Sequence, residues 1–360
     1  MALFDISVAP AARRPIGDRR DRAVQAIWAS AILLAVMAVA SLTVGASGTS
    51  LFGALLDWAG GQGIGLRERV ILFDIRAPRM LMGVLVGASL AVSGAVMQGL
   101  FRNPLADQGL VGVSAGAGLG AILAIVLGGL LPASIAAITG MYTVPVAAFL
   151  GGWLTTMLLY KVATRGGRTS VAVMLLAGIA VGALSGALSG VLVYMADDAQ
   201  LRDLTFWGLG SLAGATWGKL AVAGPLIGLS LCATPFLAKG LNGLTLGEAT
   251  AQHLGIRVQR MKNIAILTVA GATGAAVAVS GGIGFVGIVI PHLLRLLIGP
   301  DHRFLLPASA LLGGSLLLLA DMISRTIIAP AELPIGIVTA TLGGPFFLYI
   351  LLRNRGILDM

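Results

Sequence analysis

The sequence predicts an all-α polytopic membrane protein: about ten transmembrane helices with an inverted internal repeat. Three observations carry this. Of 360 residues, 57% are hydrophobic and 11% charged, with a mean hydropathy of +0.96; a soluble domain carries about 25% charged residues. Ten apolar runs approach the roughly 20 residues a helix needs to cross the hydrocarbon layer. One eight-residue motif recurs in two runs of opposite direction. The composition excludes a soluble enzyme, a disordered chain and a nucleic-acid binder. The net charge of +9 is explained by loop topology rather than by a phosphate-binding face.

The first run, 23–45, follows an Arg-rich stretch. It is too long for a signal-peptide core and lacks a small-residue cleavage site, so 1–22 reads as a cytoplasmic tail before an uncleaved span. Runs at 77–100, 110–131, 141–161 and 171–195 supply spans two to five. The stretch 199–215, with Trp207 and Gly210, is too polar to span and reads as an interfacial helix. The sixth run, 217–237, holds the single cysteine, Cys232, which cannot form an internal disulfide. Loop 238–261 follows, in which Thr245, Gly247 and Glu248 open a short amphipathic helix that Gly255 closes. Runs at 262–281, 284–298, 304–324 and 335–352 complete the set, making 23–355 one transmembrane domain. The eighth run is short and begins in a Gly-rich break.

Residues 87–94 read GASLAVSG and 274–281 read GAAVAVSG, identical at six of eight positions. They lie in spans two and seven and run in opposite directions, as inverted transporter repeats do. Small residues at such spacing also let helices pack closely. With the N-terminus inside, seventeen of the 24 Lys and Arg residues fall on inner segments; the bias puts both termini in the cytoplasm. The seven outer exceptions are Arg67, Arg69, Arg76, Arg79, Arg202, Lys219 and Arg325.

Two motifs mislead. Gly282–Gly287 fits G-x-G-x-x-G but joins two apolar runs, so it reads as a helix–helix break. Gly112–Gly116 fits G-x-S-x-G without His and acidic partners in view. No Walker loop is present, so ATP-driven work needs a separate subunit. His253, His292 and His302 match no zinc spacing, and no permanently bound metal or cofactor is expected. No paired catalytic groups lie in the spans, which argues against an intramembrane enzyme. Only Asp321 offers the ionisable group an ion-coupled secondary transporter needs.

Positive charge outside needs a reason. For Arg76, Arg79 and Arg325 the residues allow either an acidic partner surface or anchoring to lipid headgroups by snorkelling. Asp321 lies four residues before Arg325, a spacing that favours local pairing. Arg202 can fork onto a carboxylate of an anionic ligand or pair with Asp198 or Asp203.

Taken together, IRAPRMLMGVLVGASLAVSGAVMQGLFRNPLADQGLVGVSAGAGLGA at 75–121, LTLGEATAQHLGI at 244–256 and GGIGFVGIVIPHLLRLLIGPDHRFLLPASALLGGSLLLLADMISR at 281–325, with PIGIVTATLGGPFFLYIL at 334–351, resemble one family. It is the permease subunits of ABC importers for iron-siderophores, haem and cobalamin, the FecCD type. The resemblance runs from about residue 25 to the C-terminus. It implies a homodimer in the bacterial inner membrane, two cytoplasmic ATP-binding subunits and a periplasmic binding protein. It implies that Arg76, Arg79 and Arg325 meet Glu residues of that binding protein. The ATPase coupling loop maps onto 244–256, with Leu246, Gly247, Glu248, Ala249, Leu254 and Gly255. The pathway is expected from the fifth and tenth spans, with an inner gate at Thr169 and Ser170. AQLRDLTFWGLGSLAGATW at 199–217 looks more like the haem permeases than the siderophore ones. There, two copies of Arg202 would meet the propionates of transported haem; a carboxylate siderophore would be served by the same Arg.

Overall fold

The computed structural model describes residues 18–45, 51–61, 63–130, 139–166 and 168–353, with isolated positions between 131 and 138. Residues 1–17 of the expected tail, and Arg355, lie outside the described residues. In hydrocarbon every backbone N–H and C=O must bond within its own segment, so apolar runs become helices. Among the described residues a helix stands where each of the ten runs lies. Span 1 is Asp18–Thr43; span 2 ends in helix Ala77–Phe101; spans 3, 4 and 5 are Val113–Leu127, Thr143–Ala163 and Val171–Met195. Span 6 is Trp217–Ala233, span 7 Val258–Ser280, span 8 Val286–Ile298, span 9 His302–Ser324 and span 10 Ile335–Arg353. Among the described residues eight segments are long and apolar enough to cross a membrane, and spans 8 and 10 are shorter.

Five features depart from the sequence reading. Span 2 starts upstream, at Leu66, and passes through a π-helical stretch, Val70–Arg76. Pro78 has no N–H to donate, so the ladder ahead of it slips and Ala77 N–H bonds Leu72 O. The first outer loop contains a helix, Leu51–Ala59. Past Ala233 a 3-10 turn at Thr234–Leu237 leads into a further helix, Ala238–Leu244, so the long inner loop opens helical. Between spans 4 and 5 the chain forms a two-stranded hairpin, with Thr164 opposite Thr169. The interfacial segment is a helix, Asp198–Leu209, shorter than expected.

Spans 2, 7 and 9 form the buried centre, while spans 1 and 5 keep most of their surface exposed. Span 2 packs against spans 8 and 9, and span 7 packs against spans 3 and 4. That exchange is what an inverted repeat relating span 2 to span 7 requires. The shared motif places Gly87 against the backbone of Gly313 and Gly94 against that of Gly287. Small residues here let helix backbones touch, the main source of cohesion where no hydrophobic drive exists between helices. The G-x-G-x-x-G stretch is the break between spans 7 and 8, with Gly281 at φ +70° and Phe285 at +69°. Gly112, at φ +74°, opens span 3.

The loops sort to two ends as the alternation demands. Arg20, Asn242 and Asp301 line one cavity, and Thr169 bonds to Gln259. At the opposite end, Gln200 donates to Val126 O, Trp217 to Phe73 O and Ile335 N–H to Gly210 O. The end with the Lys/Arg excess is termed inner, the other outer.

Candidate functional site: an outer charge cluster, an outer arginine and an inner knob

At the outer end three arginines and two acids share one corner. The Arg79 guanidinium faces Glu332 fork to fork, Nη1 to Oε1 at 2.8 Å and Nη2 to Oε2 at 2.9 Å. Its Nε donates to Asp321 Oδ1 at 3.0 Å, and Nη2 lies 2.9 Å from the same oxygen. Arg325 Nη2 donates to Ser41 O at 2.7 Å and Ser41 Oγ at 3.0 Å, and its Nε stands 3.6 Å from Asp321 Oδ2. Arg76 Nη1 donates to Leu42 O and, at 3.1 Å, to Thr43 O. The three arginines are only 4–7% exposed and Asp321 1%.

Spans 1, 2 and 9 and the loop before span 10 are thus sewn together by planar, bidentate contacts. The local pairing expected between Asp321 and Arg325 exists, but the closer partner of Asp321 is Arg79. Neither solvent-facing arginines nor lipid snorkelling describes this corner in the single chain. The sequence missed Glu332, which sits 253 positions from Arg79 and carries no local signal. The Glu332 side chain is 38% exposed.

Arg202 is exposed on the outer helix Asp198–Leu209. Asp197 caps that helix: its carboxylate accepts from Gln200 N–H at 2.8 Å, and Gln200 Oε1 accepts from Asp197 N–H at 3.1 Å. Among the described residues Arg202 forms no ion pair, so the alternative of pairing with Asp198 or Asp203 is not realised. Its neighbour Asp203, and Phe206 and Trp207 one turn on, border an outer cavity of about 520 Å³ that Lys219 also lines.

At the inner end the loop 238–261 presents a knob. Gly247, at φ +99°, opens the helix Glu248–His253, and Gly255, at +79°, turns the chain back. Left-handed backbone at both ends is a conformation glycine adopts without steric cost. Leu246 and Leu254 are each 62% exposed, and Ala249 is exposed beside them, so an apolar rim faces away from the protein. Ala251 anchors the other face in the core. Thr169 is buried in the hairpin, whereas Ser170 is exposed and caps span 5 through Val173 N–H.

An inner cavity of about 670 Å³ is bordered by Arg20 and Arg303. It is a poor anion site. Arg303 hydrogen-bonds Asp301 and holds that carboxyl ionised down to about pH 2, so the pair is already neutralised.

Comparison with known proteins agrees with this architecture. The model of the FecCD transport family matches residues 32–353. The hemin transport system permease protein of Yersinia pestis is 47% identical over 325 residues, 90% of this chain and 94% of that protein. The vitamin B12 import system permease protein of Klebsiella pneumoniae is 42% identical over 297 residues, 82% of this chain and 86% of that protein. The structure of a protein assigned to the metal-chelate type of ABC transporter, facing inward, superposes with a TM-score of 0.80 at 32% identity. That match covers 92% of this chain and 99% of the other. With its long apolar helices, its missing nucleotide loop and a family match spanning residues 32–353, the chain belongs to the FecCD transport family, as a membrane-spanning permease of ABC importers rather than an enzyme.

Proposed function

We propose that this permease carries haem inward across the bacterial inner membrane. The observation that carries the substrate reading is Arg202: exposed, without an ion-pair partner among the described residues, and held at the outer end by a helix that opens on a reciprocal capping box. Two protomers supply two such guanidiniums, and haem offers two propionates, the bidentate match arginine makes best. The likeness to the Yersinia hemin permease points the same way, whereas the likeness to vitamin B12 permeases keeps cobalamin as the alternative.

Homodimerisation is supported by span 5. Only Met174, Ser185 and Leu192 are buried in its 25 residues. Gly182, Gly186 and Gly190 have nothing within 4 Å of where a Cβ would stand, leaving a smooth face for a partner helix and, with span 10, for a pathway. Both termini lie in the cytoplasm, with 1–22 as a tail and 23–355 as one transmembrane domain. The knob Leu246–Gly255 seats in one of two cytoplasmic ATP-binding subunits, and Thr169 and Ser170 form the inner gate. The corner of Arg76, Arg79 and Arg325 receives acidic residues of a periplasmic binding protein. Glu332, partly exposed, occupies the Arg79 fork in the meantime. ATP closes the motor subunits, the knob passes the motion to the spans, and the pathway opens to the docked donor.

The test is uptake into liposomes holding the permease with its motor subunits, fed by binding protein loaded with haem, ferric siderophore or cobalamin. Haem is expected to accumulate. Arg202→Ala is expected to lower haem uptake about tenfold, the worth of one charge-assisted hydrogen-bonding group. Cobalamin or siderophore uptake without haem uptake overturns the substrate and the role of Arg202, and leaves the family membership intact.

A further inference from the structure

Three segments distant in sequence meet on one ammonium group at the inner end. Lys262 lies in the second turn of span 7 and its side chain is 3% exposed. Nζ donates to Glu248 Oε1 at 2.6 Å, the first residue of the knob helix. It also donates to the backbone carbonyl of Thr169 at 3.0 Å, the last residue of the hairpin. Gln259, one turn earlier on span 7, completes the grip. Its Oε1 accepts from Thr169 N–H at 3.0 Å, and its Nε2 donates to Thr169 Oγ1 at 2.6 Å. Thr169 therefore has its N–H, carbonyl and hydroxyl all held by two side chains of span 7.

A buried ammonium is expensive. Lysine is almost never fully buried unless paired, and an apolar residue of equal volume fills such a space at lower cost. The charge here is matched by one carboxylate, and that carboxylate sits on the element that would touch the motor. The Glu248 side chain is 42% exposed, so the pair has one dry end and one wet end.

We propose that Lys262 is the positioning residue that ties the knob helix Glu248–His253 to the hairpin Thr164–Thr169, so that the two are displaced together. This rests on the reading of the knob as motor seat and of Thr169 and Ser170 as inner gate. Coupling between sites needs a physical element that both bias. Short, directional hydrogen bonds from one ammonium to both elements are such a link.

The test uses the assembled importer in liposomes and reads substrate moved per ATP hydrolysed. Lys262→Met keeps the length and apolar stem and removes every donor. Transport per ATP is expected to fall about fivefold or more, within the usual range of coupling between sites. In a Cys232→Ser background, spin labels at Arg168→Cys and Gln252→Cys report the hairpin-to-knob distance. One narrow distribution is expected with and without a non-hydrolysable nucleotide in the parent. Two populations, or a broad one, are expected in Lys262→Met. A role confined to stability would lower the melting temperature and move neither readout. If the Met variant does not assemble, Lys262→Gln retains one donor group and is read the same way. Unchanged transport per ATP and an unchanged distribution in an assembled variant overturn the tether.

A separate arm tests the underlying reading. Leu246→Asp with Leu254→Asp is expected to detach the motor subunits in co-purification. If they stay attached, the knob is not the motor seat and the tether falls with it. If they detach while Lys262→Met transports normally, only the tether falls.

Discussion

Replacing Gly94 by alanine is expected to eliminate the folded permease. Gly94 lies in the buried centre of span 2, where an added Cβ would run into the carbonyl oxygen of Gly287 and come within 2.6 Å of its Cα. Both atoms belong to a helix backbone, so no side chain can swing aside; spans 2 and 8 must separate. Span 2 also packs on spans 7 and 9, and the displacement spreads through the most buried part of the protein. Overpacking a core costs about 1–3 kcal/mol where rotamers can adjust, and here none can. The natural control is Gly118 in span 3, with nothing within 4 Å of its would-be Cβ. Gly118→Ala is expected to leave stability unchanged or slightly raised, since alanine is the better helix former. Size-exclusion profiles and melting temperatures in detergent compare the two. A monodisperse Gly94→Ala protein melting within a few degrees of the parent would refute the close-packing account of the motif.

Removing Arg79 is expected to be nearly as damaging, for an electrostatic reason. Arg79→Ala strips the fork from Glu332 and the closest partner from Asp321, which is 1% exposed and then has Arg325 alone at 3.6 Å. Breaking a buried pair from one side typically costs about 3–5 kcal/mol. Glu332→Gln should cost far less, about 1 kcal/mol or below, because that side chain is 38% exposed and exposed pairs contribute little. The two variants also separate stability from docking. If the Arg79 fork is where an acidic group of the binding protein settles, Glu332→Gln removes the internal competitor and should tighten binding-protein affinity, while Arg79→Ala weakens it. An Arg79→Ala protein with parental melting temperature would show that the cluster does not hold spans 2 and 9 together. Weaker binding in Glu332→Gln would show that Glu332 belongs to the docking surface rather than competing for it.

Much of the site was legible as chemistry and little of it as geometry. Arg76, Arg79 and Arg325 stood out because they contradict the charge bias of the loops, yet Ser41, which holds Arg325, and Glu332, which holds Arg79, carry no such mark. The knob was readable because Gly247, Glu248 and Gly255 write a local start and stop. The hairpin at 164–169 was not, since two-residue strands have no period to detect. Lys262 passed for one more inner-loop cation; its burial depends on Thr169, 93 positions away, and on a carboxylate across a turn of chain. Arg202 was left open between ligand and loop, and the folded helix leaves its charge exposed.

The sequence by itself determined where the apolar helices lie and in what order, that a separate helix stands near 198–209, and that a short helix opens at Glu248. Lipid offers backbone groups no partner, so each apolar run must satisfy its own hydrogen bonds and becomes a helix whatever surrounds it. Tertiary structure alone decided which helices touch, where span 2 begins, and which charges are paired, buried or free. Those outcomes depend on distances between residues remote along the chain. A guanidinium or an ammonium has the same local sequence whether the fold brings a carboxylate to within 3 Å of it or leaves it in water.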